Sequence, residues 1–110
     1  MTTINLNKDN FEAEVTKSEI PVIVDFWAQW CMPCQMMGPV FEELSGEYSG
    51  KLKFGKVNTE EERELSAVFQ IRSIPTLMIV YKEKIIDQIF GFAQKEALKE
   101  KIDKILERIK

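Results

Sequence analysis

Histidine is absent from this chain of 110 residues, and cysteine occurs only twice. Without histidine the chain cannot form imidazole metal ligands, Cys–His nucleophile pairs or Ser–His–Asp triads. Two cysteines also cannot build the multi-disulfide framework of a small secreted domain, so local chemistry must explain them. No apolar run is long enough to cross a bilayer, and the amino end lacks the basic and apolar segments of an export signal. We therefore expect a cytoplasmic protein that has no membrane partner.

Clustered positive charge is lacking as well. The 15 basic residues are outnumbered by 18 acidic ones, and the lysines are scattered among glutamates. Because binding to a phosphate backbone requires a basic patch, we expect no nucleic acid partner. The 45% of hydrophobic residues is sufficient for a compact core in a chain of this length. We expect a single domain over residues 1–110.

Apolar, β-branched segments alternate with amphipathic segments along the chain. Short alternating or continuous apolar runs predict strands, whereas apolar residues that recur at helical spacing predict helices. Five strands are predicted, in the segments TINL, IPVIVDFWA, LKFGKVN, TLMIVY and KIIDQIF. Four helices are predicted, in NKDNFEAEVTKS, in the segment after the cysteines, in TEEERELSAVF and in QKEALKEKIDKILERIK. This order predicts an α/β sandwich with a mixed sheet, in which the last two strands form an antiparallel hairpin.

Two of the predicted helices begin with capping signals. The first helix has Asn7 or Asp9 as its expected N-cap, with Glu12 three residues after Asp9. The helix in TEEERELSAVF opens with Thr59 and Glu62, the Thr-x-x-Glu pattern of a capping box. We expect these side chains to accept hydrogen bonds from the free backbone N–H groups of each helix start.

The two cysteines lie in WAQWCMPCQMM, directly after a predicted strand and at the start of the longest predicted helix. Unpaired backbone N–H groups and the helix dipole favour negative charge at a helix start, so Cys31 is expected to ionise readily. Because the thiolate is the species that attacks disulfides, Cys31 is a candidate nucleophile. Cys34 lies three positions later on the same helical face, where it can close a disulfide with Cys31. The spacing predicts a dithiol in which one sulfur attacks and the other resolves.

Two other interpretations of the cysteine pair stay open. One is a structural disulfide, although a cross-link that closes so short a loop removes little entropy from the unfolded chain. The other is a metal site, but two thiolates complete a tetrahedral shell only if a second molecule supplies the remaining ligands. A dimeric module that binds a metal or a cluster is therefore the non-enzymatic hypothesis.

Asp25 interrupts the otherwise apolar strand IPVIVDFWA just ahead of the cysteines. It either marks a solvated strand end or is a carboxylate buried near the dithiol, with a pKa raised by the loss of solvent. We favour the second interpretation, because thiol–disulfide exchange must move a proton to or from the resolving sulfur. Lys56, on the next predicted strand, is a candidate for offsetting the charge of Asp25, although a lysine on a strand is usually solvated. Both residues are candidate catalytic groups.

Aromatic, methionine and proline residues surround the cysteine motif. Trp30, beside the first cysteine, is expected to form a partly exposed wall against which a partner packs. Met32 is expected to face outward, whereas Met36 and Met37 are expected to pack within the fold. Pro75, in the segment RSIPT, follows a helix end and precedes the fourth strand, where its peptide bond is either cis or trans.

The segments VDFWAQWCMPC, GKVNTE and IRSIPT, followed by Gly91, resemble the motifs of the thioredoxin family in the same order along the chain. The resemblance covers nearly the whole sequence. It implies the thioredoxin fold, a five-stranded mixed sheet flanked by four helices. It also implies a monomeric protein-disulfide reductase that acts on disulfide-containing proteins through a mixed disulfide. Such a protein needs no bound cofactor and is reset by a thioredoxin reductase.

The same resemblance implies roles for individual residues. Cys31 is implied to be the attacking cysteine and Cys34 the buried resolving cysteine. Asp25 is implied to be the buried proton-transfer group, with Lys56 as its neighbour. Pro75 is implied to be cis and to face the disulfide, next to a backbone that pairs with an extended substrate segment. The residues implied to bind the substrate are Trp30, Met32, Pro33, Ile74, Pro75, Thr76, Gly91 and Phe92.

The chain departs from the family pattern at a few positions beside the motif. Met32 stands where the family usually has glycine, and Gln35 stands in place of a common lysine. Phe92 replaces a small residue, and the predicted turn from Tyr81 to Lys84 lacks the familiar Asn-Gly pair. Because the dipeptide between the cysteines tunes the reduction potential in this family, a more oxidising disulfide donor or isomerase is the second enzymatic hypothesis.

Overall fold

The computed structural model describes residues 3–109, in which five strands form one sheet with helices on both faces. The strands are β1 Thr3–Asn5, β2 Val22–Trp27, β3 Lys53–Asn58, β4 Thr76–Tyr81 and β5 Lys84–Phe90. The helices are a short π-helix, Glu12–Thr16, followed by α1 Met32–Glu47, α2 Arg63–Val68 and α3 Lys95–Glu107. The predicted order of strands and helices is confirmed. The predicted domain of residues 1–110 also includes Met1, Thr2 and Lys110, which lie outside the described residues.

The central strand of the sheet is the one that carries Asp25. The strand order is β1-β3-β2-β4-β5. β3 pairs in parallel with β1 and β2, whereas β4 pairs antiparallel with β2 and β5. Residues 22–26 of β2 are all buried, as expected for a strand that is covered by helices on both sides. The mixed sheet and the final hairpin are therefore both confirmed.

Apolar clusters cover the two faces of this sheet. On one face α1 and α3 pack against the strands, and the rings of Phe41 and Phe54 lie 4.9 Å apart between centroids. On the other face the segments around the π-helix and α2 meet, with Phe11 and Phe69 at 5.3 Å. Pairs of aromatic rings at such distances stabilise a core beyond the area that they bury. The two clusters hold β2 rigidly between them.

Alternation along β2 decides which way Asp25 points. Ile23 belongs to the cluster on the α1 and α3 side, whereas Val24 and Phe26 belong to the cluster on the opposite side. Trp27 packs against the cysteines at the start of α1. Because successive side chains in a strand point to opposite faces, Asp25 faces the same layer as Ile23 and Trp27. The carboxylate therefore lies on the side of the sheet that carries α1.

The predicted N-cap at Asn7 or Asp9 is wrong, because Phe11 precedes the helix and no side-chain hydrogen bond caps it. Asn7 instead holds a turn ahead of the helix. Its side-chain oxygen accepts hydrogen bonds from the backbone N–H groups of Asp9 and Asn10, at 2.8 and 3.0 Å. The π-helix itself begins only at Glu12 and has no side-chain cap. Asn7 thus closes a turn ahead of the helix, a role for which its short amide is suited.

The predicted capping box of Thr59 and Glu62 is wrong. α2 begins at Arg63, and no side-chain hydrogen bond caps it. The Thr59 hydroxyl instead donates to the backbone oxygen of Trp27 at 3.2 Å, and the Asn58 side chain accepts from the backbone N–H of Glu60 at 2.9 Å. Because Asn58 ends β3 and captures the next N–H groups, the chain makes a turn before it enters the helix.

The hairpin between β4 and β5 turns through Lys82 and Glu83, which have φ angles of 52° and 67°. Two successive positive φ angles in a two-residue loop define a type I′ turn, which asparagine and glycine favour. Other L-residues are strained in this conformation, because Cβ approaches the following carbonyl oxygen. The turn is therefore a local site of strain at the edge of the sheet.

The closing helix α3 packs on the core through its predicted apolar stripe. Leu98, Ile102 and Ile105 are buried, and Leu106 and Ile109 pack against them from the partly buried margin. The rest of the helix surface is charged, so the prediction of an amphipathic, core-facing helix is confirmed. Among the residues that the structure describes, no helix has both the length and the apolar character needed to span a membrane.

Candidate active site

Cys31 is the N-cap residue of α1, with φ −90° and ψ 112°, and Met32 is the first helical residue. The backbone N–H of Cys34 points at Cys31 Sγ across 3.2 Å and donates to it. Pro33 occupies the second helical position, where a residue without an N–H group leaves no donor unsatisfied. A sulfur at this position meets the free N–H groups and the positive end of the helix dipole, both of which stabilise a thiolate.

Cys34 is joined to Cys31 by a disulfide, with 5.2 Å between the two Cα atoms. Both residues are buried in this oxidised form, in a small cluster with Ala28. Trp27 and Ile74 cover the cluster from two sides. The disulfide links cysteines that are separated by two residues at a strand-to-helix junction. So short a loop constrains little of the chain, which suits a bond that opens and closes repeatedly.

Asp25 is the buried titratable group of this region, with only 1% of its surface exposed. Neither carboxylate oxygen has a hydrogen-bond partner among the described residues. Loss of solvent raises the pKa of Asp25 from 3.8 to about 7, although the charge of Lys56 acts in the opposite direction. A carboxylate with this pKa exchanges protons near neutral pH, which is the range in which a thiol must also lose its proton.

Lys56 lies directly beside Asp25, because the two residues are paired in the register of β2 and β3. Its Nζ lies 4.9 Å from the centroid of the Trp27 ring, so the ammonium group is held by a cation–π contact. Lys56 is half-buried. Its ammonium group reaches solvent, while the aliphatic part of its side chain covers β2, the strand of Asp25. The Lys56 charge thus limits the rise in the pKa of Asp25.

A loop ahead of β4 faces the disulfide. The bond between Ile74 and Pro75 is cis, as the resemblance implies, and the Ile74 backbone oxygen lies 3.8 Å from Cys31 Sγ. Pro75 is buried, and its oxygen accepts from the N–H of Gly91 at 2.9 Å. Gly91 has a φ of 82°, a conformation that favours glycine. Thr76 is also buried, and its hydroxyl donates to the backbone of the same loop.

Exposed apolar side chains lie at the start of α1 and next to Gly91, which is hydrogen-bonded to the cis-proline loop. Trp30, Met32 and Phe92 are exposed, as is Met36. Met37 packs in the core as predicted, but the same prediction for Met36 is wrong. The core-facing positions of α1 are 34, 37, 41 and 44, so position 36 lies on the opposite side of the helix. We call Trp30, Met32, Met36 and Phe92 the apolar rim.

Two polar contacts near the cysteines were not predicted from the sequence. The Trp30 indole N–H donates to the Glu60 carboxylate at 3.3 Å, across a gap of 30 positions in sequence. The Gln35 amide donates to the backbone oxygen of Gln29 at 2.7 Å, which fastens the first turn of α1 to the loop before it. Neither contact has a local sequence signal, because each depends on how separate segments fold together.

Comparison with known proteins extends the similarity over most of the chain. A family model described as thioredoxin matches residues 2–104. "Thioredoxin 2" from Chlorobaculum tepidum is 45% identical over 94 residues, which cover 86% of this chain and 86% of that protein. "Thioredoxin 1" from Nostoc sp. is 45% identical over 96 residues, with 87% and 90% covered. "Thioredoxin M-type, chloroplastic" from Brassica napus is 43% identical over 102 residues, with 93% of this chain and 58% of that protein covered.

Proposed function

Because this chain belongs to the thioredoxin family, as a thiol–disulfide oxidoreductase with a Cys-x-x-Cys redox centre, we propose that Cys31 is its attacking cysteine and Cys34 its resolving cysteine. The observation that carries this assignment is the N-cap position of Cys31, whose Sγ accepts the backbone N–H of Cys34. That hydrogen bond and the helix dipole favour the thiolate at position 31 over the thiolate at position 34. The reduced protein therefore attacks with Cys31.

The proposed exchange has two balanced steps. The Cys31 thiolate attacks one sulfur of a substrate disulfide, and the other substrate sulfur leaves as a thiolate. The Cys34 thiolate then attacks Cys31 in the mixed disulfide, and the second substrate sulfur leaves. Two electrons have passed to the substrate, and the protein holds the Cys31–Cys34 disulfide. Resetting this bond requires two electrons from a reductase.

We assign proton transfer in the second step to Asp25. The Cys34 thiol must lose its proton before it attacks, and the Asp25 carboxylate faces the layer that contains Cys34. A pKa of about 7 makes Asp25 a competent base at neutral pH. Lys56 supports this role, because its positive charge keeps part of the Asp25 population ionised. We expect Asp25→Asn to slow the release of substrate from the mixed disulfide, with little effect on the first attack.

The substrate segment is proposed to lie between the apolar rim and the cis-proline loop. Trp30, Met32, Pro33 and Phe92 supply exposed surface. The Ile74 backbone borders the disulfide, and Gly91 is hydrogen-bonded to Pro75 of the same loop. Thr76 and Pro75 are buried, so their contribution is to hold the loop in place. An extended segment that pairs with the Ile74 backbone would bring its own disulfide to Cys31.

The partners and setting of the chain follow as proposals. We expect disulfide-containing proteins as substrates, a thioredoxin reductase as electron donor, a monomeric single domain and a cytoplasmic location. Relatives named as chloroplastic match over 92% and 93% of this chain, so cell fractionation is the relevant test of location.

Light scattering in solution tests the monomer, and equilibration with glutathione tests whether the dithiol is a reductant. A dithiol that the glutathione pool readily oxidises would contradict the reductant role.

Single cysteine variants test the assignment of roles. With insulin as the substrate, Cys34→Ser should accumulate a mixed disulfide on Cys31, because the resolving thiol is missing. Cys31→Ser should be inert, because no activated nucleophile remains. The adducts are identified by mass spectrometry under non-reducing conditions. Insulin reduction by the Cys31→Ser protein would show that the two roles are reversed.

A further inference from the structure

The four methionines among the described residues differ in their access to solvent. Met32 and Met36 have exposed fractions of 71% and 52%, whereas Met37 and Met78 are 0% and 1% exposed. The two exposed methionines are four residues apart in α1, so their side chains share one face of the helix. They lie at the end of the helix that carries the disulfide, within the apolar rim. The chain thus presents two adjacent thioether sulfurs to solvent beside its redox centre.

We infer that Met32 and Met36 form a paired site of sulfoxidation by peroxides, and that oxidation there weakens the docking of protein substrates. The inference deepens the proposed function and rests on it, since it concerns the surface that receives the substrate. Each thioether sulfur attacks the peroxide O–O bond and takes one oxygen atom. The sulfur is oxidised by two electrons, and the other oxygen leaves as water, or as an alcohol from an organic peroxide. The protein supplies no electrons beyond those of the two sulfurs.

The oxidised form of the protein directs the peroxide to these two residues. In that form both cysteine sulfurs are bonded to each other, so no free thiol competes for the oxidant. Met37 packs among the core residues under α1, and Met78 lies in the core on the other side of the sheet. A peroxide reaches these buried sulfurs only when the fold opens. Selectivity for Met32 and Met36 therefore lasts as long as the fold is intact.

A sulfoxide changes the chemistry of the apolar rim. Methionine is flexible and apolar, so Met32 and Met36 adapt to apolar partner side chains next to Trp30 and Phe92. A sulfoxide oxygen is a polar acceptor, and a partner that covers it without donating a hydrogen bond loses affinity. We expect the KM for a protein disulfide to rise about tenfold, which corresponds to about 1.4 kcal/mol. Reaction with a small disulfide does not use the rim and should keep its rate.

The test begins with hydrogen peroxide treatment of the disulfide form, followed by removal of the peroxide. Peptide mass spectrometry then locates the added oxygen atoms, and the extent of oxidation is compared among Met32, Met36, Met37 and Met78. Insulin reduction with dithiothreitol as electron donor gives the KM before and after treatment. The reaction of the reduced protein with 5,5′-dithiobis(2-nitrobenzoate) measures Cys31 without a docked protein. We expect oxygen at Met32 and Met36, a raised KM and an unchanged rate with the small disulfide.

Matched variants separate this effect from general damage. In the Met32→Leu/Met36→Leu double variant, peroxide should leave the KM equal to the untreated value of that same variant. Met37→Leu keeps both exposed sulfurs and should lose affinity on treatment as the parent protein does. Treatment with both methionine sulfoxide reductases, one for each sulfoxide epimer, should restore the KM of the treated parent protein.

Several results would overturn the inference. Oxygen at Met37 or Met78 as fast as at Met32 and Met36 would remove the selectivity. An unchanged KM after complete oxidation of Met32 and Met36 would remove the consequence for docking. Loss of the reaction with the small disulfide would place the damage at the cysteines. Failure of the untreated protein to reduce insulin would instead contradict the proposed function, while the map of oxygen atoms would still test the oxidation site.

Discussion

Replacement of Asp25 by asparagine tests the electrostatics of the buried carboxylate. Asp25 lies in the core without a hydrogen-bond partner among the described residues, and burial raises its pKa to about 7. Asparagine has nearly the same size and shape but cannot ionise. The variant therefore keeps a polar group at the site and removes only the charge. We predict that Asp25→Asn is more stable than the parent protein at alkaline pH and equally stable at acidic pH.

The sign and the size of this effect follow from proton linkage. The pKa of Asp25 is about 7 in the folded protein, whereas the ordinary value of a solvated aspartate is 3.8, so between these values the folded protein binds more protons than the unfolded chain. The free energy of unfolding therefore falls as the pH rises through this range. The pKa rise from 3.8 to about 7 corresponds to a loss of about 4 kcal/mol, complete above about pH 8. Asp25→Asn lacks this loss, so the stability difference should grow from near zero at about pH 4 to about 4 kcal/mol.

Guanidinium chloride unfolding of the disulfide form measures the difference. Unfolding curves recorded at intervals from about pH 4 to about pH 9, by circular dichroism and tryptophan fluorescence, give the free energy of unfolding of each protein at each pH. The two signals must report the same transition for the free energies to be comparable. The midpoint of Asp25→Asn should shift to higher denaturant concentration than that of the parent protein as the pH rises.

The matched control is Asp9→Asn, which makes the same chemical change at an exposed turn position. Its stability difference from the parent protein should stay within about 0.5 kcal/mol across the pH range. An Asp25→Asn stability difference that does not depend on pH would contradict the raised pKa of Asp25. Such a result would mean that the Asp25 carboxylate ionises as easily in the folded protein as in the unfolded chain.

Three further predictions concern Lys56 beside Asp25, the Tyr48–Asp103 hydrogen bond and the turn between β4 and β5. Lys56→Met should raise the pKa of Asp25 further, because it removes the opposing charge; a carboxyl NMR titration that moves to lower pH would contradict this. Tyr48→Phe should lower the free energy of unfolding by about 1 kcal/mol, because the Tyr48 hydroxyl donates to Asp103 at 2.5 Å between α1 and α3. An unchanged denaturation midpoint would show that this bond does not stabilise the fold. Glu83→Gly should raise the free energy of unfolding by about 1 kcal/mol, because glycine adopts the φ of 67° without strain. A lower melting temperature in calorimetry would refute this prediction.

The order of strands and helices was predictable because the signals that determine it are local. The segment around Asp25 is apolar on both faces, which indicates a strand covered by helices on each side, and β2 is the central strand. Leu98, Ile102 and Ile105 recur at helical spacing, and the three residues are buried in α3. In both cases the local pattern of apolar residues is enough to predict the type of element and which of its faces are buried.

Features that depend on competition between neighbouring groups were predicted less well. The Thr-x-x-Glu pattern at Thr59 indicated a helix start, but Asn58 captures the free N–H groups first. The prediction that Met36 packs in the core is wrong, because a methionine-rich run gives no indication of which member faces the core. The register of α1 decides this, and the register is fixed by the whole set of core contacts.

The site itself was predicted in part from chemistry and in part from the resemblance. The position of Cys31 at a helix start follows from the pattern of strand, cysteines and helix. The cis bond before Pro75 came from the resemblance alone, because an X-Pro bond at a junction is more often trans. The contact between Trp30 and Glu60 could not be predicted, since nothing in either segment indicates the distance between them.

Stability and activity should respond in opposite directions at Asp25. Burial makes Asp25 hold its proton up to about pH 7, and the same burial destabilises the fold once the proton is lost. If Asp25 accepts the proton of Cys34 as we propose, the property that weakens the fold at alkaline pH is the one that supplies a base at neutral pH. Asp25→Asn should then gain stability and resolve mixed disulfides more slowly in the same preparation. A gain in stability with an unchanged rate of resolution would leave the buried carboxylate without a part in the exchange.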